Sequence, residues 1–208
     1  MREFGRRRFL AQGAALAAVS VAAKAAPDPS SEMVWFNPPA AFERKGDVLH
    51  VRSKAKTDFW RHTAIDYVAD NGHFYHRTVT GKFAFEARVG GQYAAEYDQA
   101  GLMVRQDSEH WLKCGTEYFG GHRHASVVLN REFSDWSTFP DLSETSPVWW
   151  RMERLPNALN VYASADGKDF MLVRSGYFAP CASLEVGLMI CAPSGPGFEA
   201  VFDRLKLA

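Results

Sequence analysis

Gln99, Arg105, Lys113 and Glu117 are an amide, two cations and an acid spaced so that one sheet face can present them together. Gln99, Met103 and Arg105 share one parity of a stretch whose other parity is Ala100, Leu102 and Val104, the alternation of a half-buried strand. After Asp107 and Ser108 a second alternation sets Lys113, Gly115 and Glu117 against Leu112, Cys114 and Thr116. Antiparallel pairing through a loop near residues 107–109 puts Gln99 opposite Glu117 and Met103 opposite Lys113. Such a face suits hydrogen bonding to a polar ligand. Trp60, Trp111, Tyr118 and Trp136 flank it in sequence, and an indole offers a flat surface to a sugar ring as readily as it fills a core. The bland alternative is a cross-strand charge cluster on a solvated sheet.

Catalytic chemistry has weaker support. Retaining glycoside hydrolysis needs two carboxyl groups about 5–5.5 Å apart. Asp98 and Glu117 are the nearest pair, but the register above gives them opposite parity, so their carboxyls should face different sides of the sheet. A lyase would use Arg105 or Lys113 against a uronate, with a Tyr or His as base. No Gly-x-Ser-x-Gly elbow marks a serine nucleophile. His122 and His124, and His73 with His76, are pairs lacking a defined third ligand, and no dense Asp/Asn loop marks a calcium site. We therefore expect no cofactor and no metal. Asp135, in Ser134-Asp135-Trp136-Ser137, reads as a turn cap or a ligand contact after a strand.

The elements that must position these groups are strands. Residues 83–89 and 184–190 alternate clearly, and Leu49 with Val51, residues 125–131, Val148–Leu155, residues 159–164, Met171–Tyr177 and residues 198–202 read the same way. Asn71-Gly72, Gly90-Gly91, Pro156-Asn157, Asp166-Gly167 and the cluster at residues 193–197 separate them, with Asp166-Gly167 the strongest type I′ hairpin signal. Strands at this spacing, with no helical period and no internal repeat, mean one sandwich or barrel domain.

The N-terminus reads differently. Arg6 and Arg7, followed by a weakly hydrophobic Ala-rich run over residues 11–23 and the small-x-small site Ala23-Lys24-Ala25, resemble a twin-arginine export signal cleaved before Ala26. That predicts a signal over residues 1–25, a domain over residues 26–208, and a periplasmic or secreted location. Removing the signal takes away five cations and one anion, leaving 19 Lys and Arg against 23 Asp and Glu, so a nucleic-acid partner is unsupported and no membrane attachment is expected after cleavage. Cys181 and Cys191 are the plausible disulfide pair among three cysteines, Cys114 being the third.

Several stretches then occur in a familiar order: WFNPP from Trp35, KTDFWRHT from Lys56, NGHFY from Asn71, YDQAGLMVR from Tyr97, the alternating strand from Trp111 to Tyr118, SDWS from Ser134, and Gly197-Phe198. Together they resemble the domain of unknown function numbered 1349, whose fungal members carry the name regulation-of-enolase protein. The resemblance covers nearly all of the chain after the signal. It implies an all-β, concanavalin A-like jelly-roll sandwich of two antiparallel sheets, one concave, and it implies no reaction. The superfamily's glucanase motif Glu-x-Asp-x-x-Glu is incomplete here, since Glu96-Tyr97-Asp98-Gln99-Ala100-Gly101 lacks the third carboxylate. The expectation is a carbohydrate or polyhydroxy ligand held on the concave face by Gln99, Arg105, Lys113 and Glu117, with Trp111 and Trp136 as stacking surfaces. A glycan-active hydrolase or lyase and a protein-interaction module are the alternatives; oligomeric state is open.

Overall fold

The structure, a computed structural model, describes residues 32–145 and 147–208. The expected export signal and its cleavage site lie outside the described residues. Among those described, no helix is long and apolar enough to cross a membrane.

Two seven-stranded antiparallel sheets form a sandwich. One runs in the order β1 (Val34–Phe36), β6 (His73–Thr80), β15 (Ser183–Cys191), β8 (Asp98–Arg105), β9 (His110–Phe119), β10 (His122–Arg131) and β11 (Phe133–Pro140). The other runs β14 (Met171–Tyr177), β13 (Ala158–Ser164), β12 (Val148–Leu155), β7 (Phe83–Gly91), β16 (Glu199–Leu207), β3 (Val48–Arg52) and β2 (Ala41–Lys45). A separate two-stranded hairpin, β4 (Phe59–Arg61) with β5 (Val68–Asp70), lies over the first sheet.

Period-2 alternation explains the main core. Ala100, Leu102 and Val104 of β8 and Leu112 and Cys114 of β9 meet Phe85, Ala87, Val89, Trp150, Met152 and Phe202 of the facing sheet in one buried cluster. The opposite parity of the first sheet builds a second, smaller cluster. Met103, Trp111, Val128, Met189 and Cys191 pack there with Phe74 and with Phe59 of the hairpin. The first sheet is therefore buried on both sides over part of its area, and the hairpin is what covers the second side.

The expected register is the observed one, with Gln99 opposite Glu117 and Met103 opposite Lys113. Several local readings are corrected. Gly90 and Gly91 continue β7 instead of turning. The Ser134 to Ser137 segment lies inside β11, and Asp135 there pairs with Arg174 at 2.6 Å across to β14. Asp166-Gly167 sits in a loop longer than two residues between β13 and β14, where only Gly167 has positive φ, +75°. Ser164 and Asp166 side chains accept the loop amides that a type I′ turn would have paired across the hairpin. The Cys181–Cys191 pair does not form: all three cysteines are free thiols. Cys191 is buried in the small cluster under the hairpin, whereas Cys181 is half-exposed beside Arg154.

Candidate functional site

Hairpin β4–β5 and the strands beneath it enclose a cleft of about 550 Å³. Its floor is Gln99 of β8 and Glu117 of β9, neighbours across one rung of the sheet, together with Asp58, which enters from the hairpin side. Trp60, Tyr67, Tyr97 and Trp136 stand around that floor. Trp136, on β11, meets Trp60 edge-on with ring centroids 6.0 Å apart. Tyr97 adopts φ +68° ahead of β8, a left-handed conformation that a bulky residue takes only when its surroundings fix it, and its ring stacks on Phe119.

The placement of Asp58 depends on segments far away in sequence. Its backbone amide donates to Asn71 Oδ1 at 2.9 Å, and its carbonyl accepts from the amides of Asn71 and Gly72. A Cβ on Gly72 would lie within 2.6 Å of the Phe59 ring and Cys191 Sγ, so only glycine admits Phe59 beside it. Asn37, at φ +55°, donates from Nδ2 to the carbonyls of Asp70 and Gly72. His73 accepts from the Lys54 amide at Nε2 and donates from Nδ1 to the Asn37 carbonyl, a neutral imidazole whose pKa burial pushes down. The WFNPP, KTDFWRHT and NGHFY stretches thus brace one another, and the product of that bracing is the hairpin with Asp58 at its base.

Lys113 comes up from β9 and is buried, its Nζ 3.0 Å from Asp58 Oδ1. Burial pulls the ammonium pKa down, but the carboxylate of Asp58 and, further off, that of Glu117 outweigh it, and the net shift is upward. Asp58 Oδ1 also accepts from the Phe59 amide at 2.8 Å. Gln99 Nε2 lies between the two acids, 3.5 Å from Asp58 Oδ1 and 3.4 Å from Glu117 Oε1. Glu117 Oε2 accepts from the Trp136 indole at 3.1 Å. Burial raises the Glu117 carboxyl above the ordinary range, opposed by the Lys113 ammonium and the Ser126 and Trp136 donors and assisted by the charge of Asp58.

Native Glu117 therefore keeps its proton to a higher pH than the unfolded chain does. Between the ordinary and the raised value the folded state binds more protons, so stability falls as pH rises through that window. Glu117→Gln, neutral throughout, should flatten this part of the profile. Urea midpoints for both proteins from about pH 4 to 8 check it, and parallel curves would assign the cost to other buried acids.

Of the six residues read from sequence as contacts, Gln99, Glu117 and Trp136 line the cleft. Lys113 lies under it, matched by Asp58. Arg105 is not in the cleft: it forms a two-pronged ion pair with Asp70 of the hairpin, both bonds 2.9 Å, and stacks on Phe36 at 4.8 Å. Trp111 is fully buried under Phe59 and presents no open face. Asp98 turns away as parity required, capping the amides of Ala94 and Ala95 through Oδ2. Asp58, Tyr67 and Tyr97 were missed as site residues, because nothing in the local pattern of a loop acid says which strand it will meet. His122 and His124 do not converge: His124 stacks on Phe119 at 3.8 Å, while His122 is exposed near Glu144. Among the described residues no group of three or more His, Cys, Asp and Glu side chains could hold a metal ion.

Residues 35–208 match the family described as "Protein of unknown function (DUF1349)". The chain belongs to the DUF1349 family. Regulation of enolase protein 1 of Saccharomyces cerevisiae is 36% identical over 177 residues, spanning 85% of this chain and 89% of that protein. The crystal structure of a functionally unknown protein from Saccharomyces cerevisiae superposes with a TM-score of 0.83 at 35% identity, over 86% of this chain and 97% of the other. Two more distant structures share the fold of this DUF1349 chain. The carbohydrate-binding module CBM66 from Bacillus subtilis gives a TM-score of 0.56 at 12% identity over 85% of this chain and 96% of its own. The GH43 BlXynB protein from Bacillus licheniformis gives 0.61 at 18%, over 77% of this chain and 32% of its own. The DUF1349 sandwich is thus built like carbohydrate-binding modules and glycoside-hydrolase-associated domains.

Proposed function

We propose that this protein binds a carbohydrate or related polyhydroxy ligand in the cleft between the hairpin and the first sheet. The observation that carries the reading is the combination of an acid-amide floor, Asp58, Gln99 and Glu117, with aromatic walls at Trp60, Tyr67, Tyr97 and Trp136. Carboxylates and an amide hydrogen-bond hydroxyls, and aromatic faces cover the apolar C–H faces of a sugar ring. The volume falls within the range of small-ligand sites. The sandwich it shares with a carbohydrate-binding module adds support at the level of fold alone. The twin-arginine signal belongs to the same reading, placing the site in the periplasm or outside the cell.

A glycan array probed with the full chain should retain at least one polysaccharide. Trp136→Ala should weaken that retention about fivefold, since an aromatic face contributes roughly 1 kcal/mol and tenfold is about 1.4. Trp136 is 39% exposed, so the fold should survive the change. Retention unchanged in Trp136→Ala, or none by the parent, overturns the proposal. Arg105→Ala should act through the hairpin, by releasing Asp70, because Arg105 lies outside the cleft.

A further inference from the structure

We infer that the cleft also hydrolyses the glycoside it binds, with Asp58 as nucleophile and Glu117 as the acid and base. The inference rests on the binding reading and adds a reaction to it. Its ground is a carboxylate pair that the strand pattern did not contain. Asp58 and Glu117 reach the same cleft from a loop and a strand, and one amide nitrogen, Gln99 Nε2, is within 3.5 Å of both. Both oxygens lie within 3.5 Å of that one nitrogen, so Asp58 Oδ1 and Glu117 Oε1 are at most about 7 Å apart, a span that includes the ~5–5.5 Å of retaining glycosidases and excludes most of the inverting range.

The two acids are set up differently, as two roles demand. Asp58 has its charge matched by the buried Lys113 ammonium, and its hydrogen bonds all go to Oδ1, from Phe59, Lys113 and Gln99. Oδ2 is left for an incoming carbon. Glu117 accepts from neutral donors, Gln99, Ser126 and Trp136, and its burial favours the protonated form. Lys113 is matched by Asp58, and the exposed Lys56 at the cleft donates to the Ser194 carbonyl, so no buried cation is left to hold a uronate, and the substrate class is a neutral glycoside.

In the first step Asp58 Oδ2 forms a bond to the anomeric carbon as the bond from that carbon to the leaving oxygen breaks, and the Glu117 proton passes to that oxygen. In the second, the Glu117 carboxylate takes a proton from water, the water oxygen bonds to the anomeric carbon, and the ester to Asp58 breaks. The sum is glycoside plus water giving free sugar plus alcohol, with retained configuration and both acids restored.

The test uses the full chain with a panel of 4-nitrophenyl and methyl glycosides of glucose, galactose, mannose, xylose and arabinose in both anomeric forms, beside the glycan array. Hydrolysis of at least one sugar is expected. Glu117→Gln should slow the methyl glycoside by about 10²–10⁴-fold but the nitrophenyl glycoside far less, because only the poor leaving group needs the proton. Asp58→Asn should stop both, and the matching 2,4-dinitrophenyl 2-deoxy-2-fluoro glycoside should add one glycosyl mass to the peptide carrying Asp58. A chain that retains polysaccharide but leaves every glycoside intact overturns the inference and leaves binding standing. Loss of both overturns both. Turnover equal in the parent, Asp58→Asn and Glu117→Gln also overturns it, as does labelling at any other residue.

Discussion

Lys113→Met should lower the unfolding free energy by about 3–5 kcal/mol, because it leaves the Asp58 carboxylate buried beside an apolar chain with its charge unmatched. Lys113 and Asp58 are 3% and 10% exposed at their side chains, so solvent cannot replace the missing partner. For a domain of this size the loss corresponds to a fall in Tm of roughly 10 °C. The double variant Asp58→Leu with Lys113→Met should recover most of it, since two apolar groups of similar bulk have no desolvated charge to satisfy. Urea unfolding of the parent, both single variants and the double variant measures the coupling. A Lys113→Met midpoint matching the parent would mean that water reaches Asp58, and the ion pair would then be a surface feature.

Phe59→Ala should cost about 3–5 kcal/mol and also detach the hairpin from the sheet. Phe59 is fully buried, stacks toward Phe36 at 6.3 Å and packs near Trp111 at 6.4 Å. It supplies the fully buried apolar anchor of β4–β5; the other ties are ion pairs of Asp70 with Arg105, Arg61 with Glu109 and Asp58 with Lys113, hydrogen bonds from Asn37 to the Asp70 carbonyl and from the Arg61 amide to Ser134, and the part-buried Trp60 against Trp136. Hydrogen exchange should show amides of residues 59–70 losing protection beyond the global destabilisation, while β12 and β13, on the other sheet, fall only with the whole. Polysaccharide retention should disappear as well, since Trp60, Tyr67 and Asp58 leave together. Uniform loss of protection across both sheets would show that the hairpin does not open separately.

Legibility differed between the two parities of one sheet. On β8 and β9 the alternation gave the register to the residue, because one side of each strand must face the facing sheet and a slip of one would expose every apolar side chain. The same rule hid the second apolar cluster. Met103, Trp111, Met189 and Cys191 sit among glycines and polar residues on the outward parity, and they look solvated until the hairpin covers them. Short β1, β2, β4 and β5 gave no period to read, and β11 was mistaken in part for a turn because Ser, Asp and Ser populate it; Asp135 and Ser137 there instead receive Arg174 from the edge of the opposite sheet.

By itself, then, the sequence determined an all-β domain, the pairing of β8 with β9, and the meeting of Gln99 with Glu117, which follow from local alternation and a loop near residues 107–109, while the family resemblance selected a sandwich over a barrel. Only the tertiary structure decided that Lys113 and Arg105 are spent on hairpin acids, that Trp111 is core, and that Asp58 joins Glu117 across the cleft. Those outcomes depend on where a short hairpin of ordinary local sequence comes to rest. Its resting place is set by contacts between residues far apart in the chain: Asn37 with Gly72, His73 with Lys54, and Phe59 against the strip of apolar side chains on the first sheet.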